Sequence, residues 1–387
     1  MSEAHRWRSE LLGEPRTLEL ADGVLDYFER GEGPVLLFSH GWLANANLWR
    51  KVVDQLHTEF RCLVLDLPLG SHRTAMAPGA DLSPLGAAGL IAAVLERLDL
   101  HDATLVGNDS GGAYSQIALA RHEQQTAERV SGLVLTSCET PYDEWPPAPF
   151  DGLPEAARDP EVLGQLLAAL EDPTVRAAPV AYGHLLKHPT EASDSYALPA
   201  SRDPGVLRDV AKAMVSATTA PVRAAGEALI AQHELPTLLI WSEEDEVFPI
   251  AHAVRYADQL IWPSICQVAN HQRPARAGLF LDPGGGGRPG ARRAVRLICA
   301  GWLPQDRVSS QRPLSRIERR RERLLIAESR MRWREGPSPP PPGSSDAWWP
   351  QSAVATAQQK PLSSRATATA QRVRRLPRSE SRRTQLR

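Results

Sequence analysis

The residues best placed to do chemistry lie in Gly107-Asn108-Asp109-Ser110-Gly111-Gly112. An apolar, β-branched run, Ala103-Thr104-Leu105-Val106, leads in and reads as a buried strand. Ala113 to Ala120 leads out and reads as a helix. A carboxylate or hydroxyl on such a strand–turn–helix corner is exposed on a strained backbone and suits covalent, nucleophilic catalysis. The residues two before and two after a nucleophile must be small, because side chains there would meet the neighbouring strand and helix. With Asp109 central these flanks are Gly107 and Gly111; with Ser110 central they are Asn108 and Gly112. The paired glycines favour Asp109. Ser110 stays as the rival nucleophile, and a Gly-rich helix start capped by an aspartate is the purely structural alternative.

This corner resembles the α/β-hydrolase superfamily in its aspartate-nucleophile branch, which holds haloalkane and haloacetate dehalogenases and epoxide hydrolases. The resemblance covers roughly residues 15–271. It implies that Ser39-His40-Gly41-Trp42 is the oxyanion loop, with the amides of Trp42 and Ser110 as the two donors. The Trp42 indole is either a third donor, toward an oxyanion or a leaving halide, or a packed aromatic beneath a cap. Leu43 and Ala44 follow where many relatives have a proline. Trp241-x-x-x-Asp245 with Phe248-Pro249 matches the strand and loop that carry the triad acid, so Asp245 is expected to orient the base, with Glu139 in reserve. His271, just after the run Ile265–Ala269, is expected to be the base; His252 is its rival. Ser110 stands where haloalkane dehalogenases usually carry a halide-binding tryptophan.

Alternating strand and helix signals argue an α/β fold with a doubly wound, mostly parallel sheet. Arg16–Leu20 and Val24–Arg30 flank a turn at Asp22-Gly23 and read as a hairpin. Pro34–Phe38, Arg61–Leu65, Val130–Thr136 and Pro236–Ser242 read as strands; Leu48–His57 and Pro84–Leu100 read as helices. From about residue 140 to 222 the chain is rich in Pro and Ala, with helical pieces near 161–170, 175–186 and 206–217. The expected organisation is 1–139 as the first part of the core, 140–222 as an inserted helical cap, 223–303 as its second part and 304–387 as a tail. Trp145, Phe150, Tyr182, His184, His188 and Tyr196 are candidate cap residues over the site. An epoxide hydrolase would want two of these tyrosines as donors to the epoxide oxygen.

Composition divides the chain. Residues 1–270 carry 19 Lys and Arg against 38 Asp and Glu, whereas residues 271–387 carry 25 against 8. Lys360 is the only lysine of the second group. A tail of Arg, Pro, Ser, Gly and Ala is expected to be disordered. No nucleic-acid partner is expected; the Arg clusters of the tail leave a phosphate-binding arm as the one exception. The four cysteines are scattered without metal-ligand spacing. No metal or cofactor is expected, and the partner is a small-molecule substrate. No leader-like apolar segment opens the chain and no apolar run reaches membrane-spanning length, so a cytoplasmic location is expected. The chemistry expected is hydrolysis through an aspartyl ester at a carbon–halogen bond or an epoxide. The alternatives are a serine esterase using Ser110 and a catalytically impaired binding module.

Overall fold

A computed structural model describes residues 3–121, 126, 128–178, 181–182, 191–232, 235–242, 245–260 and 263–268. Eight strands form one sheet: β1 (Glu14–Leu20), β2 (Gly23–Arg30), β3 (Val35–Ser39), β4 (Arg61–Leu65), β5 (Ala103–Asn108), β6 (Val130–Thr136), β7 (Thr237–Ser242) and β8 (Pro263–Val268). Their spatial order is β1-β2-β4-β3-β5-β6-β7-β8. β2 pairs antiparallel with β1 and with β4, and every later pairing is parallel. The hairpin closes through Ala21-Asp22, and Gly23 opens β2 at φ 136°, a conformation that asks for glycine.

The central strands are buried on both faces, which explains their continuous apolar runs. Leu37, Leu63, Leu105, Leu133 and Leu239 face one side, beneath α2 (Pro84–Arg97) and α3 (Ser110–Arg121). The alternate residues Leu36, Phe38, Val64, Val106, Val134 and Leu238 face the other, against Trp49, Val53 and Leu56 around α1 (Arg50–Leu56). The register sets Ser39 beside Gly107, Asn108 beside Thr136 and Thr136 beside Ile240. The carboxyl ends of β3, β5, β6 and β7 therefore share one edge, and the loops after them are the loops that carry the candidate site.

Between β6 and β7 the described residues form only helices and turns. They are α4 (Leu153–Ala156), α5 (Pro160–Ala169), α6 (Pro173–Arg176), α7 (Glu191–Ala197), α8 (Pro199–Arg202), α9 (Pro204–Val215) and α10 (Thr219–Gln232). Asp159, Asp172 and Asp203 cap α5, α6 and α9, each followed by proline at the first helical position. α10 begins just before residue 222 and packs along α3. A final helix, α11 (Ile250–Ala257), follows the Asp245 loop. Among the described residues no helix is long and apolar enough to cross a membrane. His184, His188 and His271, the end of the second core segment, and the tail lie outside the described residues.

Candidate active site

β5 ends at Asn108, α3 starts at Ser110, and Asp109 forms the corner at φ 51°. A non-glycine residue there is strained and is held by its surroundings. The Asp109 N–H donates to the Ser137 carbonyl at 3.0 Å and the Gly112 N–H donates to the Asp109 carbonyl at 2.7 Å. The glycines around it are steric requirements. A Cβ on Gly107 would stand 2.5 Å from the Gly112 Cα, and one on Gly111 would stand 2.7 Å from the Ser39 and His40 carbonyl oxygens. One on Gly112 would stand 2.5 Å from Cys138, so both glycine frames are crowded, yet the strained corner itself belongs to Asp109.

The backbone N–H groups of Ser110 and Trp42 lie beside the Asp109 carboxylate and favour its charged form. It presses so closely on the oxyanion loop that a Cβ on Gly41 would fall 1.8 Å from its Oδ2. Burial pushes the Asp109 carboxyl up to about 7; the two amides oppose this and the charge of Asp245 adds to it. Trp42 thus has its amide beside that carboxylate. Its indole is committed elsewhere: Nε1–H donates to the Tyr114 hydroxyl at 2.9 Å, and the ring stacks on Trp145 at 6.0 Å. Of the two expectations for that side chain, the packed aromatic is the one found. Tyr114, on α3, is fully buried and meets Trp145 edge-on at 5.5 Å. Trp145 is 3% exposed, and its own Nε1–H has no hydrogen-bond partner among the described residues.

On the other side lies Glu139, fully buried just after β6. Neither carboxylate oxygen has a well-formed hydrogen bond among the described residues, although the Ser110 hydroxyl on its flank favours the charged form. Burial, then the charge of Asp109, then that of Asp143 push its carboxyl well above the usual range. Asp245 sits in the loop after β7, where its Oδ1 accepts the N–H of Val247 at 3.0 Å and of Phe248 at 2.8 Å. The loop thus fixes one oxygen by its own backbone, and Asp245 is close enough to Asp109 for their charges to interact.

His252, the rival base, contacts Asp143 Oδ1 through Nδ1 at 2.6 Å. Asp143 holds Thr140 through Oδ2, at 2.8 Å from its N–H and 2.6 Å from its hydroxyl. His252 therefore ties α11 to the loop after β6. Among the described residues no histidine bonds Ser110, which is 1% exposed at the first turn of α3. Asp143 and Tyr114 were missed by sequence reading; Thr140-x-x-Asp143 was the one local signal, a side chain set to bond its own loop.

A family model described as an alpha/beta hydrolase fold matches residues 34–275. The chain belongs to the α/β-hydrolase fold family. A haloalkane dehalogenase of Mesorhizobium japonicum is 30% identical over 129 residues, 33% of this chain and 40% of that protein. A pimeloyl-[acyl-carrier protein] methyl ester esterase of Yersinia enterocolitica is 36% identical over 121 residues, 30% of this chain and 42% of that one. The chain thus spans about two fifths of the length of the curated relatives it matches. Among solved structures, the haloalkane dehalogenase DbeA from Bradyrhizobium elkani superposes with a TM-score of 0.53 at 21% identity, over 66% of this chain and 89% of that one. This likeness is one of fold. Of the two cap tyrosines expected to serve epoxide opening, Tyr182 is otherwise engaged: its hydroxyl donates to the Leu43 carbonyl at 2.8 Å. Tyr196 is buried with the Arg50 guanidinium beside it.

Proposed function

We propose that this chain is a hydrolase that works through an aspartyl ester on a small organic substrate with a carbon–halogen bond or an epoxide. The carrying observation is the Asp109 carboxylate, on a strained corner, pressed against the oxyanion loop with the amides of Trp42 and Ser110 beside it. One carboxylate oxygen attacks the electrophilic carbon and expels the leaving group as an anion, or opens the epoxide to an alkoxide. Water, deprotonated by His271, then attacks the Asp109 Cγ. The oxygen that becomes negative there is a carboxylate oxygen of Asp109, and the two amides are its donors. Collapse of that intermediate releases the alcohol and restores the carboxylate; a halide and a proton are the other products when the substrate is a halocarbon. Asp245 orients His271.

The carbon–halogen bond is the favoured target of the two. The Trp145 N–H, without a partner among the described residues and in the aromatic wall it shares with Trp42, suits a leaving anion. The bond of Tyr182 to the Leu43 carbonyl leaves an epoxide oxygen with one fewer tyrosine donor than the expected pair.

The test is a single turnover in ¹⁸O-water with a panel of haloalkanes, epoxides and activated esters. Label is expected in the peptide containing Asp109, with unlabelled oxygen in the first product. Asp109→Asn is expected to be inactive and Ser110→Ala active, since only the Ser110 amide is used. Unlabelled protein together with a dead Ser110→Ala would transfer the function to a serine esterase, ester hydrolysis being what the name of the Yersinia relative states. No turnover and no adduct across the panel would leave the binding module.

A further inference from the structure

Leu43 follows Trp42 in the loop after β3, and its φ of 52° puts it in the left-handed region. A non-glycine residue is strained there and must be held by its surroundings. Two hydrogen bonds hold it. The Leu43 N–H donates to the carbonyl of Leu69, in the chain beyond β4, at 2.9 Å. The Tyr182 hydroxyl donates to the Leu43 carbonyl at 2.8 Å. Tyr182 lies between α6 and α7, in the helical segment inserted between β6 and β7. Its ring is buried and packs against that of Tyr196 at 6.1 Å. Burial pushes its hydroxyl up, so the O–H stays a donor through the working range of an enzyme. Leu43 is thus the point where the inserted segment grips the loop that carries the Trp42 amide.

We propose that Tyr182 is a positioning residue: its hydroxyl holds Leu43 at positive φ and so keeps the Trp42 amide beside the Asp109 carboxylate. The loop beyond Leu43 cannot yield. Asn45 and Ala46 are fully buried. Asn45 Nδ2 donates to the Ser195 carbonyl at 2.9 Å, and the Ala46 N–H donates to Asp66 Oδ1 at 3.0 Å. If Leu43 relaxes to negative φ, the change must be absorbed on the other side, at Trp42, whose amide lies beside Asp109. The strain of a non-glycine residue at positive φ and the net worth of one hydrogen bond are of the same order, so losing the hydroxyl tips the balance. The inference deepens the aspartyl-ester reading and rests on it for its catalytic meaning.

The test is a double-mutant cycle. Tyr182→Phe removes the hydroxyl and keeps the ring. Leu43→Gly removes the strain that the hydroxyl opposes, because glycine takes positive φ at no steric cost. Leu43→Asn, a residue that tolerates the same region, is the second such background. The readout is the carboxyl titration of Asp109 in the full chain labelled with ¹³C-aspartate, assigned by its loss in Asp109→Asn. Besides burial, the Ser110 and Trp42 amides and the charge of Asp245 act on that carboxyl among the described residues, and Tyr182 does not. With Leu43 in place, Tyr182→Phe is expected to raise the midpoint by about half a pH unit, roughly a threefold tighter hold on the proton, as the Trp42 amide turns away. In either Leu43 background the same substitution is expected to move it by less than about a third as much.

With a substrate in hand, adduct hydrolysis is expected to slow about tenfold in Tyr182→Phe, and Leu43→Gly is expected to restore most of that loss in the double variant. A tyrosine that only seats the helical segment would lower thermal stability when its hydroxyl is removed and leave Asp109 unmoved. An unmoved midpoint in Tyr182→Phe overturns the proposal. So does a shift of equal size in all three backgrounds, because the hydroxyl would then act on Asp109 by a route other than the strain at Leu43. Should one Leu43 background not fold, the other decides. The titration needs no turnover, so a wild type inert to the whole substrate panel defeats the proposed function while leaving this test intact.

Discussion

Asp109 is a carboxylate kept near the edge of ionisation. Its value of about 7 stands above the ordinary 3.8, so the folded protein holds the proton more tightly than the unfolded chain does. The stabilisation from that proton is complete at low pH and is lost as pH rises through about 7. Above that point the buried charge opposes folding by an amount on the order of 3 kcal/mol. Asp109→Asn should therefore abolish turnover and also raise Tm at pH 8, by roughly 5 °C, with the gain shrinking toward acid pH. A scanning calorimeter comparing the two proteins across pH checks it; a lower Tm at pH 8 would contradict it. Adduct formation needs the carboxylate, so its rate should fall as pH drops through about 7.

The second carboxylate question is also decided residue by residue. Asp245 has one oxygen fixed by the Val247 and Phe248 amides, whereas Glu139 has neither oxygen well bonded among the described residues. As the acid behind His271, Asp245 should matter most in the water step. Asp245→Asn is expected to slow adduct hydrolysis by about 10²-fold or more, and Glu139→Gln by less than about tenfold. Rapid-quench mass spectrometry of the adduct reads both. The reverse order would assign the role to Glu139.

At the scale of elements, the site depends on how closely α3 and the oxyanion loop approach β5 and β3. Gly107 meets the Gly112 Cα and the Gly111 carbonyl, both backbone atoms that cannot move alone. Gly107→Ala must push the start of α3 off the sheet edge, at a cost of about 3 kcal/mol. Gly89, inside α2, has nothing within 4 Å of a Cβ, so Gly89→Ala should stabilise by ~0.5–1 kcal/mol through helix propensity alone. Urea unfolding of the two variants should move the midpoint in opposite directions; equal shifts would remove the steric account of the elbow.

At the scale of the whole molecule, one buried ion pair joins the amino-terminal segment, the sheet and the cap. Arg8 Nη2 lies 2.7 Å from Asp66 Oδ2, with side chains 3% and 0% exposed. Arg8 also donates to the Ser71 carbonyl at 2.7 Å, while Asp66 Oδ1 accepts the Ala46 N–H at 3.0 Å. Nearby, Asn47 Nδ2 donates to the Trp7 carbonyl and to Ser195 Oγ, and the Ser71 hydroxyl donates to the Tyr196 carbonyl at 2.6 Å. Burial would push Asp66 up, but Arg8, His40 and the Ala46 amide outweigh it and hold its carboxyl below the ordinary range. Arg8→Met leaves Asp66 buried without its partner and should cost ~3–5 kcal/mol in denaturant unfolding. Without Arg8 the burial of Asp66 is largely unopposed and its carboxyl rises, so that difference should be full at neutral pH and shrink as pH falls through the raised value of the variant. A difference unchanged down to acid pH would mean the loss is one of packing, not of charge.

The sequence by itself determined what depends on local patterns. The continuous apolar strands, the Asp22-Gly23 hairpin and the glycine frame of Asp109 are all short-range features, each with a steric or hydrogen-bonding cause inside a few residues. They made the fold legible, and with it the corner on which Asp109 sits. Tertiary structure decided what depends on groups far apart in the chain. The Trp42 indole met Tyr114, 72 positions away, and so left the donor set. The Tyr182 hydroxyl met Leu43, 139 positions away, and His252 met Asp143 across 109. Arg8 and Asp66, 58 positions apart, carry no local sign of each other. A donor or an acid can be listed from residue types, but whether its polar atom is free depends on which partner burial brings beside it. Burial is a property of the assembled sheet and cap, because an unpaired polar group is costly only once water has been removed from around it.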